Sequence, residues 1–599
     1  MNKKIKTSWN LNLLFSGSDS DLEKDKKIVS EKSSGFIDKW KDRNDYLKDP
    51  SVLKTALDEY EYLNGNFGTS GNAGFYFELK SSLDQNDPKI KAKFKNIHDF
   101  SVKIGNDLQF FEHNIAKISP NNQARFLNYK RLSEYRHFLE RLFKQSRYIL
   151  SDPEEKILNL KQATSHSNWI RMVSGFLSKE ERMVATEKGK KENKNFSEIM
   201  KLLNSRSKKV RDSAAETLND ILDKYKDVAE NEINSVLANK KINDELRKME
   251  RPDLVRHLDD DIESEVVDTL ISAVSSSFNI SRKYYALKAK LMGVKRLEYH
   301  ERNVEYGKLS AKYPHDKSVD LISRVFSYLD KDFSDIFDNF VSQGKVDFFP
   351  KKSKRDGAFC ANDLISQPGY VLLNYAETLD DVLTFAHEVG HAINSELQKR
   401  AQNSLNFGTP KSTAEVASTF MEDFILKELE KESDDEIKLA LLLHRLNSDI
   451  STIFRQIACY MFEQELHKQF REKGYLSKEE IGKLFQKHMS AYMGHAVIQS
   501  QGSENWWIYW RHIRSFFYNY SYASGLLISK AMQARYAEDH SFISKVKEFL
   551  SAGTSDSPKN IFKKMSIDIT DKKFWESGLG KIEEDLKAAE KLAKKLGKI

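Results

Sequence analysis

A His-Glu-x-x-His pattern at His387, Glu388 and His391 is the strongest indication of chemistry in this chain. Residues four apart on a helix lie on one face, so the two imidazoles can bind one metal ion. Zn²⁺ accepts imidazole nitrogens at about 2.0–2.1 Å, and a glutamate directly after the first histidine can take a proton from water. These residue types at this spacing are what metal-assisted hydrolysis of a peptide bond needs.

The residues around this pattern favour a buried helix. Apolar side chains lie on nearly every side of it: Val382, Leu383, Phe385, Ala386, Val389, Ala392 and Ile393. A helix that is apolar all round is buried, and histidines or a glutamate inside it need partners because an uncompensated charge there is costly. The flanks therefore favour a metal site over the alternative, an ordinary helix with two histidines and a surface glutamate.

A catalytic zinc needs a third protein ligand, and Glu415 is the candidate. It lies in the first turn of a second predicted helix, over 412–429, among small and apolar neighbours. The alternative for Glu415 is a favourable charge at a helix N-terminus. Glu422 lies two turns further along nearly the same face, where it can orient a metal ligand through a hydrogen bond. Asn394 and Leu397 stand where a metzincin would have glycine and histidine, which excludes that class.

Several segments together resemble the oligoendopeptidase F group of the thimet oligopeptidase family. The resemblance is dense from about 340 to 535 and weaker from 120 to 340, and its segments are 357–360, 370–375, 380–392, 415–420, 512–514 and 518–525. It implies that His387, His391 and Glu415 are the ligands of one zinc ion. It also implies that Glu388 is the general base.

The same resemblance places a histidine and two tyrosines that bind substrate and stabilise the oxyanion at His512, Tyr518 and Tyr522. Tyr520 competes for one of these roles and is a candidate for substrate binding, as is His495, for which packing is the alternative. Protonated tyrosine hydroxyls can donate to the negative charge that develops on a peptide carbonyl. Four residues separate Tyr518 from Tyr522, which predicts one helix face.

Only 345–375 has an extended pattern, with a short buried strand at 370–375 and a partner strand at 357–360. A strand edge there, including Gly357, would hold an extended peptide through backbone hydrogen bonds. The pattern predicts a mostly α fold with a small β-sheet beside the zinc helix, and the resemblance implies two helical lobes around a deep substrate channel. The predicted domains are an N-terminal helical lobe, 1–195, and a catalytic domain, 196–599.

Composition excludes several classes of protein. Charged residues make up 31% with both signs mixed, and the net charge of +7 is not concentrated in a basic arm, so we expect solvated helices and no nucleic-acid partner. The two cysteines, Cys360 and Cys459, have no framework spacing. The basic start of the chain is followed by too short an apolar stretch for a secretory leader. We expect a cytoplasmic protein that does not enter membranes.

The predicted function is zinc-dependent cleavage of internal bonds in short oligopeptides, with one Zn²⁺ per chain. A first alternative is a metallo-carboxypeptidase, which would use Arg511 or Arg514 to bind the terminal carboxylate. A second alternative is a helical peptide-binding scaffold without activity, although such a protein has no need of Glu388. The sequence carries no prediction of the oligomeric state.

Overall fold

A computed structural model describes residues 5–307, 311–431 and 433–599, without the side chain of Asp152. The start of the chain at residues 1–4 lies outside these ranges. The α-helices are α1 (Asp19–Trp40), α2 (Pro50–Asn66), α3 (Gly71–Leu83), α4 (Pro88–Leu108), α5 (Phe110–Ala116), α6 (Pro120–Leu127), α7 (Arg136–Gln145), α8 (Asp152–Gln162), α9 (Asn168–Ser178), α10 (Phe196–Leu202), α11 (Lys208–Leu246), α12 (Leu254–Asp259), α13 (Ser264–Ser276), α14 (Phe278–Leu291), α15 (His315–Leu329), α16 (Lys331–Gln343), α17 (Leu379–Ala401), α18 (Lys411–Lys431), α19 (Asp435–Asp449), α20 (Arg455–Lys473), α21 (Lys478–Met493), α22 (Tyr520–Glu538), α23 (Ile543–Ser551), α24 (Pro558–Lys564) and α25 (Lys572–Lys595).

The β-strands are short and form small sheets. They are β1 (Glu181–Ala185), β2 (Lys191–Asn195), β3 (Leu297–Glu298), β4 (Val346–Asp347), β5 (Phe359–Ala361), β6 (Tyr370–Leu372) and β7 (Val497–Ile498). β1 and β2 form an antiparallel hairpin, and β3 pairs with β7 in parallel. In the third sheet, β6 lies between β4, its parallel neighbour, and β5, its antiparallel neighbour.

The chain divides into two compact units, each built from three segments. The first unit comprises Met1–Arg147, Ser310–Lys431 and Met532–Ile567, and the second comprises Tyr148–Leu309, Glu432–Ala531 and Asp568–Ile599. The boundary that we predict between 195 and 196 falls within a segment of the second unit and stays a prediction.

Local sequence explains where many helices begin. Pro50, Pro88 and Pro120 each occupy the first position of a helix, where the missing N–H is not needed. The side chains of Asp49 and Asp87 cap two of these helices by accepting from backbone N–H groups one turn in. These prolines therefore mark the starts of helices.

The sheet of β4, β6 and β5 packs against helix α17 in the first unit. β6 is completely buried, and the indole Nε1–H of Trp9 donates to the Val371 carbonyl at 2.8 Å. The buried Asp347 carboxylate is held by Lys354, whose ammonium group it accepts from at 2.7 Å. Both β5 and β6 pack against α17. The predicted small sheet beside the helix with the His-Glu-x-x-His pattern is confirmed.

The mostly helical fold is confirmed, but the prediction that only 345–375 is extended is wrong. The β1–β2 hairpin turns at Gly189, which has a φ of +72°, a conformation that favours glycine. Both strands are largely polar, and no side chain of β2 is buried. They therefore lack the alternation of apolar and polar residues that identifies a strand in sequence. Among the described residues, no helix has both the length and the apolar composition that crossing a bilayer requires.

Candidate metal centre and active site

Helix α17 carries His387, Glu388 and His391, and its first turn is fixed by a capping box. The Thr378 hydroxyl accepts from the Asp381 backbone N–H, while the Asp381 carboxylate accepts from the Thr378 N–H at 2.8 Å. This reciprocal pair satisfies two N–H groups that a helix start otherwise leaves without partners. The predicted burial of this helix is confirmed, since its apolar residues between 382 and 393 are all buried.

Helices α17 and α18 pack closely against each other at Gly390. A Cβ atom built on Gly390 would lie 2.6 Å from the Cα of Ser418 and 2.9 Å from the Ala417 carbonyl oxygen. These are backbone atoms of α18, which cannot rotate away as a side chain can. Only glycine therefore permits the helix spacing that brings Glu415 to the two histidines.

Replacing Gly390 by alanine is expected to push α17 and α18 apart and to destabilise the fold by about 1–3 kcal/mol, the usual cost of overpacking. Metal affinity should fall with it, since the ligands lie on both helices. Gly35→Ala is the matched control, because its added methyl meets nothing within 4 Å in helix α1 of the same unit. Thermal unfolding and competition with a zinc chelator measure both effects. Unchanged stability and affinity in Gly390→Ala would contradict the close approach.

The structure brings the three predicted ligands together. Nε2 of His387 lies 3.3 Å from Oε2 of Glu415, and Nε2 of His391 lies 3.8 Å from the same oxygen. All three ligand atoms are within 4.8 Å of one another. Two ligands about 2.1 Å from a tetrahedral ion are about 3.4 Å apart, so the spacing fits one Zn²⁺ with little adjustment. The side chains keep 23–26% of their surface exposed, which lets an ion reach them.

Glu422 lies behind the first histidine, as the sequence predicts. Its Oε2 is 3.1 Å from Nδ1 of His387, so the ring can donate through Nδ1 and present Nε2 to a metal. A carboxylate of this kind fixes the tautomer and orientation of a ligating histidine. The predicted role of Glu422 in orienting a metal ligand is therefore supported by a direct contact with His387.

The electrostatics of this cluster favour a cation. Burial opposes the charged form of His387, but hydrogen bonds with Glu415 and Glu422 outweigh it and raise its pKa to about 10. Burial likewise disfavours the Glu415 carboxylate, yet the hydrogen bond with His387 prevails and lowers its pKa to about 2. Burial, with help from the charge on His387, lowers the pKa of His391 to about 4. Near neutral pH the three side chains thus carry one positive charge, on His387, and one negative charge, on Glu415, and a metal ion would bind by displacing the His387 proton.

Glu388 points to the sheet side of α17 and is buried, with 9% of its surface exposed. Burial raises the pKa of its carboxyl to about 7, while the backbone N–H of Cys360 on β5 donates to it and opposes this shift. A carboxyl group with a pKa near neutrality can both accept and return a proton. Sequence reasoning did not find the Cys360 contact, because it depends on how β5 packs against α17.

Strand β5 lies at one edge of its sheet, as the predicted strand pair requires, and Phe359 pairs with Leu372 of β6. Gly357 precedes this strand with a φ of +79°, and its carbonyl oxygen accepts from the Asn374 side chain at 2.8 Å. Gly357 is exposed. The structure therefore places it at the entrance of the edge strand, and its predicted contact with substrate stays a prediction.

A second group of predicted residues comes together in the other unit. Nε2 of His512 lies 3.1 Å from the Tyr522 hydroxyl, and the Tyr518 ring packs against both, with centroids 5.9 Å from His512 and 5.2 Å from Tyr522. Tyr518 precedes α22, which begins at Tyr520, so the contact with Tyr522 comes from a loop and not from the predicted shared helix face.

The protonation of His512 follows from its neighbours. The indole Nε1–H of Trp510 donates to Nδ1 of His512 at 3.2 Å, which leaves the ring proton on Nε2, facing Tyr522. Burial, with a smaller effect of the Arg455 guanidinium, lowers the pKa of His512 and keeps the ring neutral. The Tyr522 oxygen can accept this proton from His512 in a hydrogen bond.

Tyr520 and His495 do not belong to this group. Tyr520 is completely buried, and its hydroxyl donates to the Asp260 carboxylate at 2.7 Å. His495 is exposed in a short turn, where its carbonyl oxygen accepts from the Arg296 guanidinium at 2.7 Å. The substrate-binding roles predicted for these two residues stay predictions.

Comparison with known proteins identifies the family of this chain. The model of the family described as Peptidase family M3 matches residues 201–581, more than half of the chain. The chain belongs to peptidase family M3. A second model, described as Oligopeptidase F, matches residues 114–173. Membership of the M3 family makes the chain a metallo-endopeptidase, and it confirms the resemblance predicted from the motifs.

Relatives of this M3 peptidase cover nearly its whole length. "Oligoendopeptidase F, plasmid" from Lactococcus lactis subsp. cremoris is 26% identical over 538 residues, which are 87% of this chain and 87% of the relative. Oligopeptidase PepF from Bacillus subtilis (strain 168) is 22% identical over 614 residues, 99% of this chain and 88% of the relative. The crystal structure of oligoendopeptidase-F from Enterococcus faecium shares the fold, with a TM-score of 0.72 at 18% identity, over 96% of this chain and 99% of that one.

Proposed function

We propose that this M3 peptidase is a zinc-dependent endopeptidase that hydrolyses internal bonds of short oligopeptides. The observation that carries the proposal is the ligand set of His387, His391 and Glu415, spaced for one tetrahedral ion and directly adjoining a buried glutamate. Two imidazoles and one carboxylate are a donor set typical of catalytic zinc, in which a fourth position stays open. We assign one Zn²⁺ per chain to this site.

Zn²⁺ bound there would supply Lewis-acid polarisation of the attacking water and of the scissile carbonyl. We assign the general base to Glu388, whose carboxylate takes a proton from the attacking water and passes it to the leaving amine. The Cys360 N–H lies close enough to this carboxylate to favour its charged form. Glu422 keeps His387 oriented through Nδ1. In this proposal, Glu388 transfers the proton and Glu422 orients the metal ligand His387.

We assign stabilisation of the oxyanion to His512, Tyr518 and Tyr522. The Tyr522 hydroxyl accepts from His512 and carries a proton that it can donate to a negatively charged oxygen. The Tyr520 hydroxyl donates to Asp260 instead, and this contact favours Tyr518 and Tyr522 among the three candidate tyrosines. Preorganised donors of this kind stabilise the transition state more than the bound substrate.

Tyr522→Phe is expected to lower kcat about 10²- to 10³-fold, the usual effect of removing one oxyanion donor, with a smaller change in KM. Tyr518→Phe tests the neighbouring hydroxyl in the same way. Tyr509→Phe is the control, because its ring packs against Trp506 in the same aromatic segment and has no assigned role in the chemistry. Steady-state kinetics with a quenched peptide measures the three variants. Full activity in both Tyr518→Phe and Tyr522→Phe would refute the tyrosine assignment.

The carboxypeptidase alternative receives little support from the arginines that it needs. Arg514 is buried and forms a bidentate ion pair with Glu232, with N–O distances of 2.9 and 2.6 Å. Its positive charge is already neutralised, so it is poorly placed to bind a terminal carboxylate. Arg511 is exposed and is the remaining candidate for that role.

A ladder of peptides of increasing length tests the proposal, each made with free and with blocked ends. We expect internal cuts by mass spectrometry in both versions, and loss of activity with a zinc chelator that added zinc restores. Stepwise loss of C-terminal residues, abolished by C-terminal amidation, would show a carboxypeptidase instead. Absence of any cleavage in the zinc-loaded protein would leave the peptide-binding scaffold. Our predictions of a deep channel and of a cytoplasmic location are separate from this test and stay predictions.

A further inference from the structure

Glu463 is a buried acidic residue whose two carboxyl oxygens form hydrogen bonds with a loop. It lies in the middle of α20, between Cys459 and His467 on the same helix face, and its surface is completely buried. Its Oε2 accepts from the Phe517 backbone N–H at 2.7 Å, and its Oε1 accepts from the Asn519 side-chain amide at 2.5 Å. Both oxygens are thus used to bind the 516–519 loop.

This loop has an unusual backbone. Phe516 and Phe517 have φ values of +49° and +57°, so two bulky residues in succession adopt the left-handed conformation that ordinarily favours glycine. Such a conformation persists only where the surrounding structure holds it. The Phe517 ring packs against His467 and Tyr460, with centroids 4.7 and 5.4 Å away, while Glu463 binds the backbone N–H of the same residue.

The left-handed conformations of Phe516 and Phe517 set the direction of the chain at the next residue, Tyr518. Tyr518 comes directly after the two left-handed residues, and its ring packs against those of both His512 and Tyr522. Asn519, the next residue, is bound by Glu463 through its side chain. Glu463 therefore contacts the chain on both sides of Tyr518.

We propose that Glu463 is a positioning residue for peptide hydrolysis, which fixes the 516–519 loop so that Tyr518 and Tyr522 are held in register with His512. The inference rests on the proposed function of these two tyrosines. Burial raises the pKa of the Glu463 carboxyl to about 8, against the two donors from the loop, so the group occupies a place that an apolar residue would fill at less cost. The hydrogen bonds that Glu463 forms with the 516–519 loop explain why a polar side chain occupies this buried position.

Glutamine at this position should keep the function. The Asn519 Oδ1 atom is buried and has no hydrogen-bond partner within the described part of the chain. With its amide turned over, Asn519 can accept from a glutamine at 463 through Oδ1, while the glutamine oxygen still accepts from the Phe517 N–H. Methionine fills a similar volume but offers neither strong acceptor.

The test compares Glu463→Met with Glu463→Gln. We expect kcat to fall about 10²-fold in Glu463→Met, because misplacement of a catalytic group by about 1 Å has an effect of this size, with little change in KM or zinc content. Glu463→Gln should stay close to the parent. Glu301→Gln is the control: this buried carboxylate binds Arg211 at 2.7 Å in the same unit, and its loss should lower the melting temperature without lowering kcat. If Glu463→Met does not fold, Asn519→Ala removes one of the two loop contacts and should give a smaller loss of kcat.

A spectroscopic measurement separates this inference from the proposed function. With fluorotyrosine incorporated at position 518, the ¹⁹F resonance should shift or broaden in Glu463→Met and stay unchanged in Glu463→Gln and Glu301→Gln. An unchanged resonance in Glu463→Met would overturn the positioning role, whatever the activity. If the resonance moves but Tyr518→Phe and Tyr522→Phe are fully active, the loop is held by Glu463 and the tyrosine assignment is what fails.

Discussion

Replacing Glu388 by glutamine is expected to lower kcat about 10³- to 10⁴-fold, since a positioned general base contributes an effect of this order. Glutamine has nearly the same shape and can still accept from the Cys360 N–H, but it cannot take a proton from water. Zinc content should stay at one ion per chain, because the ligand set of His387, His391 and Glu415 is untouched. Steady-state kinetics with a quenched peptide and elemental analysis of the same preparation measure the two properties together.

The matched control for this variant is Glu396→Gln, on the same helix two turns later. Glu396 forms an ion pair with Lys399 at 2.9 Å, and we assign it no part in the chemistry. Its kcat should stay near that of the parent. Undiminished hydrolysis by Glu388→Gln would refute the assignment of the base, while a loss of zinc in this variant would show that the substitution acts through the metal instead.

Glu415→Ala is expected to lose bound zinc. Its Oε2 atom lies 3.3 and 3.8 Å from Nε2 of the two histidines, and removing it leaves two protein ligands. The affinity should fall by more than about 10²-fold, because losing a residue that only supports a ligand already costs about 10- to 100-fold. Glu422→Gln, which alters the support of His387, should give that intermediate loss. Elemental analysis after dialysis, and competition with a chelator, rank the variants.

A control for this series lies on the same helix. Glu428 is three turns beyond Glu415 on α18 and forms an ion pair with Lys431, so Glu428→Ala changes a carboxylate without approaching the metal site. It should retain one zinc per chain. If Glu415→Ala also retains a full zinc ion, a different residue is the third ligand, and the mechanism has to be rebuilt around it.

The ligand cluster could be predicted because its geometry is mostly local. Helical periodicity alone places His387 and His391 on one face, and the predicted second helix offered Glu415 and Glu422 on nearly the same side. What the sequence did not reveal is the contact that makes these two helices neighbours. In the sequence, Gly390 is a single glycine within a helical pattern. Its role in helix packing follows only from the structure, in which the α18 backbone lies against it.

The tyrosine cluster shows where the sequence pattern fails. A separation of four residues between Tyr518 and Tyr522 predicts a shared helix face, and the two rings do meet. They meet because Phe516 and Phe517 reverse the backbone before α22 begins, and no propensity predicts left-handed phenylalanines. The conformation depends on Glu463, which is more than fifty residues away in sequence. Long-range contacts of this kind lie outside any local pattern.

The three-segment construction of the first unit has a consequence for how the enzyme is made. Helix α17 is held by α23: the Asn394 amide donates to the Leu550 carbonyl at 2.6 Å, and the Gln402 amide donates to the Ser551 carbonyl at 2.9 Å. During synthesis, the ribosome must therefore add the residues from 416 to 550 after the last metal ligand before this support exists. A nascent chain would carry all its metal ligands for some time without their final scaffold, and the metal site would mature only once the 543–551 helix has been made.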